Sequence, residues 1–506
     1  MRSMPRLIDI LRPPELSPEE KRREMLERPV VPLILSLAAP AIFANIVTSL
    51  YNLADTFFVG QMGSTSASAA VGVSFVTMTT IQAMGFYFAQ GTGNPMSRYL
   101  GAGDTEKACV FVNMGLAATL CFGTFIALVG HLFLDQLCYL GGATETILPY
   151  ARAYISTILF GAPFIASCFL LNMQLRFQGE SFYSMLAMVA GAVLNTILTP
   201  LFIFPLGLGI RGSALATVVS EAASFFILLY QMNRAGITPL SPRYLRRPTL
   251  ALLREINNGG VPSFARQVML GVATSLLNNA AAPFGDAAIA GIAVVQRITG
   301  IGNFFQIGIG QGFQPIVGYN LGAKRFARIR EGFFAAIKMS LLSVSCISVV
   351  TFVWAPQLIA LFRDDPEVVR IATLTLRLCS VTLPFTGFAM ITNFLLQTSG
   401  KMWRATILGS ARLGLVLAPV VLVLPPLLGL LGVQIAQPVT DVITSLIALP
   451  MAISILRELR AAEAEQARAA EVGEADTPEA EHADGPEAGE TLGAEAGEAG
   501  TPAAGE

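Results

Sequence analysis

One carboxylate stands well inside the first long apolar run of the chain. Asp55 lies in PAIFANIVTSLYNLADTFFVGQMG, residues 40–63, and the helix-compatible run around it extends from Val30 to Val59. A charge within a lipid-spanning segment costs about 2.5–3.5 kcal/mol on insertion scales, so it normally faces a partner or a watery cavity and marks a functional site. The alternative is a carboxylate near a helix end that reaches the interface, and the apolar residues on both sides of Asp55 argue against it. Other polar residues fall in similar runs: Asn52 beside Asp55, then Asn172, then Asn195 with Thr199, then Thr217 with Glu221. The last two pairs are spaced by four, hence each lies on one helix face. A carboxylate surrounded by amide and hydroxyl oxygens can bind a proton or a hard cation such as sodium. The second half carries Asn278, Gln296, Arg297, Asn393 and Asp441 and has no clear equivalent of Asp55. Ion coupling is therefore expected in the first half. Asn278, Gln296, Arg297 and Asn393 are candidates to line a substrate cavity, and hydrogen bonding between helices is the plainer use of any one amide.

Several chemistries are not expected. No cluster of His, Cys or acidic residues has metal-ligand or triad spacing, and the six cysteines are scattered through apolar runs. No catalytic residue, metal or organic cofactor is expected; the coupling ion would be H+ or Na+. There is no Gly-Lys-Ser/Thr phosphate loop, so nucleotide is not expected, and no basic stripe points to nucleic acid.

The elements that must hold these residues are membrane helices. The chain has 506 residues, 53% hydrophobic and 13% charged, with mean hydropathy +0.61. A soluble domain carries about 25% charged residues. Twelve apolar runs are long enough to span a bilayer: 31–58, 68–92, 108–131, 148–172, 183–204, 212–233, 258–282, 287–312, 331–354, 369–395, 404–424 and 431–456. The glycines of Gln90–Pro95 are read as ending the second. The loops alternate between Lys/Arg-rich and Lys/Arg-poor, which puts both termini in the cytoplasm. The expected fold is thus an all-α, multi-pass protein of the cell (inner) membrane, its partners being the lipid bilayer and a small-molecule substrate.

The run of helices is duplicated. Leu100-Gly101-Ala102 matches Leu321-Gly322-Ala323, Pro163-Phe164 matches Pro384-Phe385, Asn172 matches Asn393, and Gly179 matches Gly400, each 221 apart. Gly212, Ala216 and Glu221 match Gly432, Ala436 and Asp441 at 220. Six helices per copy means both copies insert the same way, as two lobes related by an axis along the membrane normal with a cavity between them. The expected organisation is a basic cytoplasmic tail (1–29), a six-helix lobe (30–235), a cytoplasmic linker (236–254), a second six-helix lobe (255–460) and a disordered acidic tail (461–506). The tail is rich in Ala, Glu, Gly and Pro and has no aromatic residue to bury.

The residues Leu50–Gly60, Gly91–Pro95 with Leu100–Gly103, Asn195–Pro200, and Gln311–Ala323 resemble the multidrug and toxic compound extrusion (MATE) family in its bacterial branch. The resemblance covers about residues 30–460. It implies twelve helices, a V-shaped cleft, and export of bulky, often cationic compounds driven by proton or sodium entry. It also implies a coupling aspartate at Asp55, with an asparagine at Asn195 and a threonine at Thr217 beside it; Thr199 joins them as the fourth candidate. Asn52, Asn172, Glu221 and Asp441 are secondary candidates. Two positions depart from the family pattern: Thr199 stands where many relatives have a second aspartate, and the seventh run carries Arg266 and Gln267 but no acid. The expected activity is secondary antiport by a monomer, with a proton favoured over sodium. The alternatives are a lipid-linked oligosaccharide flippase of the same superfamily and an exporter of one endogenous metabolite.

Overall fold

The computed structural model describes residues 16–245, 249–363 and 365–475, and helices account for nearly all of these. The first is α1 (Pro18–Glu27). The first lobe follows as α2 (Val30–Gly60), α3 (Thr65–Ala102), α4 (Thr105–Leu132), the short α5 (Leu134–Leu140), α6 (Leu148–Phe177), α7 (Ser181–Ile203) and α8 (Gly209–Ala235). The second repeats it: α9 (Leu250–Ala281), α10 (Asp286–Gly322), α11 (Phe326–Val353), the short α12 (Ala355–Ala360), α13 (Pro366–Thr398), α14 (Met402–Ser410), α15 (Leu417–Leu428) and α16 (Leu430–Ala475). A π-helical turn, Ala411–Leu415, joins α14 to α15, and the two form one span. Among the described residues, eleven helices pass as membrane spans on length and composition. The twelfth, α9, has the length, but Asn257, Asn258, Arg266, Gln267, Asn278 and Asn279 dilute its apolar surface; it packs on α3 and α14. The chain divides after Glu463, and residues 464–475 of the second unit are helical.

Three local readings change. The second span does not stop at the glycines before Pro95; α3 runs ten residues further, to Ala102, and α10 likewise runs past Pro315 to Gly322. Proline is tolerated inside membrane helices because neighbours re-satisfy freed backbone groups. The segment 1–29 is more than a tail: Ser17 and Glu20 form a reciprocal capping box, with Ser17 N donating to Glu20 Oε2 at 2.8 Å and Glu20 N to Ser17 Oγ at 3.3 Å. The final helix continues through the Ala- and Glu-rich residues 461–475, which are good helix formers, and 476–506 lie outside the described residues.

The repeat is visible in matching contacts. Asn172 Nδ2 donates to the Ser184 carbonyl at 3.1 Å, and Asn393 Nδ2 to the Ala405 carbonyl at 2.6 Å. The lobes meet where α3 packs on α9 and α10 and where α2 packs on α10, and at the crossing of α3 with α10 the contact is reciprocal. Gly101 abuts the Tyr319 backbone and Gly322 the Arg98 backbone, so a methyl on either would fall within about 2 Å of a carbonyl oxygen. Gln90 and Gln314 exchange amide hydrogen bonds (3.0 and 3.3 Å), and Glu255 takes bonds from Tyr99 (3.0 Å) and Arg98 (3.3 Å). A single buried cluster spans both lobes at this end, including Leu33, Met96, Phe177, Phe313, Phe333 and Leu395. At the other end the lobes have separate clusters, one around Val59, Ile81, Tyr154 and Ile203 and one around Leu277, Ile292 and Val433. The lobes are thus joined at one end and packed independently at the other.

The short helix α1 lies across the joined end. Arg22 Nε donates to the Gly101 carbonyl (3.0 Å) in the first lobe, while Asn320 Nδ2 reaches the Met25 carbonyl (3.4 Å) and Arg325 the Leu26 carbonyl (2.8 Å) from the second. Lys21, almost fully buried, pairs with Glu24 at 3.1 Å and with Glu180 at 3.2 Å. Burial pushes the Glu24 carboxyl up, but Lys21 and Arg28 more than offset it and hold it below the usual glutamate range. That contribution to docking is present above the usual range and is lost as pH falls through the depressed value.

Replacing Gly101 or Gly322 by alanine forces a methyl against backbone that cannot swing aside. Each substitution is expected to cost about 1–3 kcal/mol. The double variant should cost less than the two together, because both widen the same crossing. Thermal unfolding of the purified variants in detergent measures both effects.

Candidate functional site

Asp55 sits near the end of α2, on the face turned to α7 and α8. Those helices present their polar residues by spacing. Asn195 and Thr199 lie one turn apart on α7, and Ser213 and Thr217 one turn apart on α8. The four are buried, and Asp55 is half-buried. Asp55 Oδ1 accepts from Ser213 Oγ at 2.9 Å and lies 3.3 Å from Thr199 Oγ1. Thr199 Oγ1 is also 3.4 Å from Asn195 Oδ1. A hydroxyl has one proton, so Thr199 can serve the carboxylate or the amide but not both at once. Asn195 Nδ2 donates to Thr217 Oγ1 at 3.3 Å, and Thr217 Oγ1 to the Ser213 carbonyl at 3.2 Å.

The structure therefore brings Asp55, Asn195, Thr199 and Thr217 into one network, from three helices far apart in sequence. It adds Ser213, which sequence reading passed over. The signal was there: Ser213 stands four before Thr217, on the face that already carried Thr217 and Glu221. All donors to the carboxylate are neutral, and Asp55 makes no ion pair with a described residue.

Next to the network is a cavity of about 10 Å³, lined by Tyr51, Asn195, Thr217, Ser220, Glu221 and Ser224 among others. That is room for about one water molecule.

The remaining candidates are placed elsewhere. Asn52 is exposed, and its carbonyl accepts from Thr56. Asn172 spends its amide on the Ser184 backbone, joining α6 to α7. Asn393, expected in a cavity, does the repeat-equivalent job within its own lobe: it is buried, and its amide donates to the Ala405 carbonyl. Asn278 and Gln296 are half-buried on α9 and α10 and Arg297 is exposed, all outside the Asp55 network. Asp441 is nearly fully buried and compensated: it accepts from Arg412 Nε at 2.7 Å and from Gln437 Nε2 at 3.0 Å.

A membrane protein made of two repeated six-helix lobes, with a carboxylate held by neutral donors in the first, has the architecture of a transporter. The MatE family model matches residues 40–201 and again 262–423, one copy per lobe, and the chain belongs to this family. Among the similar proteins is the multidrug export protein MepA of Staphylococcus saprophyticus, 28% identical over 433 residues, or 85% of this chain and 95% of the relative. MepA of Staphylococcus haemolyticus is 27% identical, over 87% of this chain and 96% of the relative. A MATE crystal structure in complex with MaL6 aligns with a TM-score of 0.82 at 26% identity, covering 86% of this chain and 98% of that one. An outward-facing multidrug resistance MATE transporter of the MOP superfamily aligns at 0.80, with the same identity and coverage.

Asp55 and Asp441 should respond oppositely to neutralisation. Asp441→Asn strips Arg412 of its partner and is expected to destabilise the protein by about 3–5 kcal/mol. Asp55→Asn removes a charge with no counter-ion, keeps an acceptor for Ser213, and is expected to leave stability unchanged or raise it. Melting temperatures of the two variants at neutral pH rank them.

Proposed function

We propose that the chain is a secondary active exporter of amphipathic, often cationic small molecules, driven by entry of a cation that exchanges at Asp55. The observation that carries this reading is the Asp55 network: a carboxylate held, among the described residues, by the Ser213 and Thr199 hydroxyls, with Thr199 shared with Asn195. Protonation adds a donor to the carboxyl and removes the charge that strengthens the two hydroxyl bonds to Oδ1, so the hold of α2 on α7 and α8 weakens with it. The relatives named as multidrug exporters support the substrate class. With Thr199 where a second aspartate would strengthen a sodium site, the proton is the favoured ion.

Orientation follows from charge. Arg22, Arg98, Lys107, Lys324 and Arg325 gather at the joined end, which the positive-inside rule assigns to the cytoplasm. The lobes are then closed toward the cytoplasm and the chain is in an outward-facing state, with both termini inside. A single chain carries both lobes and works as a monomer.

The test is export of ethidium from vesicles holding the purified protein, with pH and sodium gradients imposed separately. The pH gradient should drive export, and Asp55→Asn should reduce the driven component at least tenfold. Ser213→Ala should weaken it less, because Thr199 still reaches the carboxylate. Undiminished export by Asp55→Asn removes Asp55 from the mechanism, and sodium-driven export alone reassigns the ion.

A further inference from the structure

The two lobes treat one repeated position in opposite ways. Thr217 and Glu221 of α8 correspond to Gln437 and Asp441 of α16 at an offset of 220, and Gly191 of α7 corresponds to Arg412 at 221. In the second lobe Arg412, set in the π-helical turn Ala411–Leu415, bonds Asp441 at 2.7 Å and lies 3.3 Å from Asn303 Oδ1, while Gln437 bonds the same carboxylate at 3.0 Å. In the first lobe glycine replaces the arginine, and the cavity of about 10 Å³ beside Gly191 is lined by Glu221 itself. The wall is rich in oxygen: Glu221, Asn195, Thr217, Ser220, Ser224 and Tyr51. The Ser220 hydroxyl is buried and has no hydrogen-bond partner among the described residues. A buried polar atom without a partner, beside space for one small polar occupant, marks a site for a water or an ion.

We infer that Glu221, with Ser220, Thr217 and Asn195, forms a second cation-exchange site in the first lobe, at the position that Arg412 fills permanently in the second. The inference rests on the reading of the chain as a cation-coupled exporter and supplies what that reading lacks. Exchange of one monovalent cation for one monovalent drug moves no net charge and draws nothing from the membrane potential. A second cation makes the cycle electrogenic, and each added charge is worth about 2.3 kcal/mol per 100 mV. Asn195 and Thr217 belong both to the Asp55 network and to the cavity wall, so occupancy at one site is felt at the other. The other titratable groups facing this corner are Tyr51 and Asp55 on α2 and Tyr154 and Cys168 on α6, and Cys168 Sγ meets the Glu221 carbonyl at 3.0 Å. None of them is a cation, so no built-in positive charge competes for Glu221.

Infrared difference spectra of the purified protein in lipid, taken between acid and alkaline pH with no drug present, test the site directly. In the protonated-carboxyl region Glu221→Gln should remove one component and Asp55→Asn another, while Glu221→Asp should keep a shifted form of the first. Spectra of Glu221→Gln that superimpose on wild type overturn the inference whatever the transport assays give. Repeating the titration in sodium rather than choline chloride tells the occupant apart: loss of the Glu221 component assigns sodium, and no response assigns the proton. In vesicles held at a fixed pH gradient, an imposed potential of about 100 mV should change the initial rate of ethidium export, after subtraction of the rate in protein-free vesicles, several-fold for wild type and hardly at all for Glu221→Gln. A variant that keeps the wild-type response to potential also overturns the inference. Absence of any gradient-driven export by wild type counts against the exporter reading alone, since the spectra still decide Glu221.

Discussion

The crossing of α3 over α10 is the contact on which the rest of the molecule depends. Lipid tails are as apolar as leucine, so no hydrophobic force drives membrane helices together; close packing and hydrogen bonds must do it. Gly101 and Gly322 let two backbones touch, and Gln90 with Gln314 secures the approach with exchanged amide bonds. Because each glycine meets the backbone of the other lobe in the same way, the crossing acts as a symmetric pivot. It gathers the cluster common to both lobes at this end, which the first half of α2 also joins, and leaves the second half of α2 with α7 and α8 to pack apart at the other. The Asp55 network lies in that separate body, where a change in helix packing does not have to disturb the pivot.

The duplicated framework then carries two electrostatic solutions. Asp441 has its counter-ion from within the protein, and such a buried pair is rigid: removing either partner leaves a stranded charge. Asp55 has hydroxyls alone, so its ionised form is supported but not locked. A carboxylate of the first kind holds a structure and one of the second kind can answer to the ion supply. Duplication relates Asp441 to Glu221 rather than to Asp55, and at that repeated corner Gly191 and Arg412 occupy corresponding positions and differ by the presence of one long cationic side chain.

Much of this was legible in the chain itself. Twelve spans and the repeat follow from hydropathy and from spacing, because lipid leaves helices as the solution for uninterrupted apolar runs. Asp55 announces itself because a lone acid in such a run is costly. Other features were hidden for identifiable reasons. Glycine and proline before Ala102 read as helix terminators, yet there they serve contact between helices, which no local pattern encodes. Ser213 was passed over because a single serine in a membrane helix usually bonds its own backbone, and only the position of α2 gives it a carboxylate. Asn393 looked like a cavity residue for the converse reason: its use, a bond to the Ala405 carbonyl, depends on how α14 returns to α13. The helix at 18–27 had its signal in Ser17-Pro-Glu-Glu20, obscured by the charge around it.

That short helix has a mechanical consequence. Its own backbone carbonyls accept bonds from Asn320 and Arg325, while its arginine reaches back to Gly101. It therefore behaves as a staple driven through both sides of a hinge. The staple ties the lobes at that end, so in the exporter proposed above the free energy of seating ten residues would add to the barrier of any step that parts them. Trimming or loosening a segment that touches neither ion nor drug would change how fast the machine cycles.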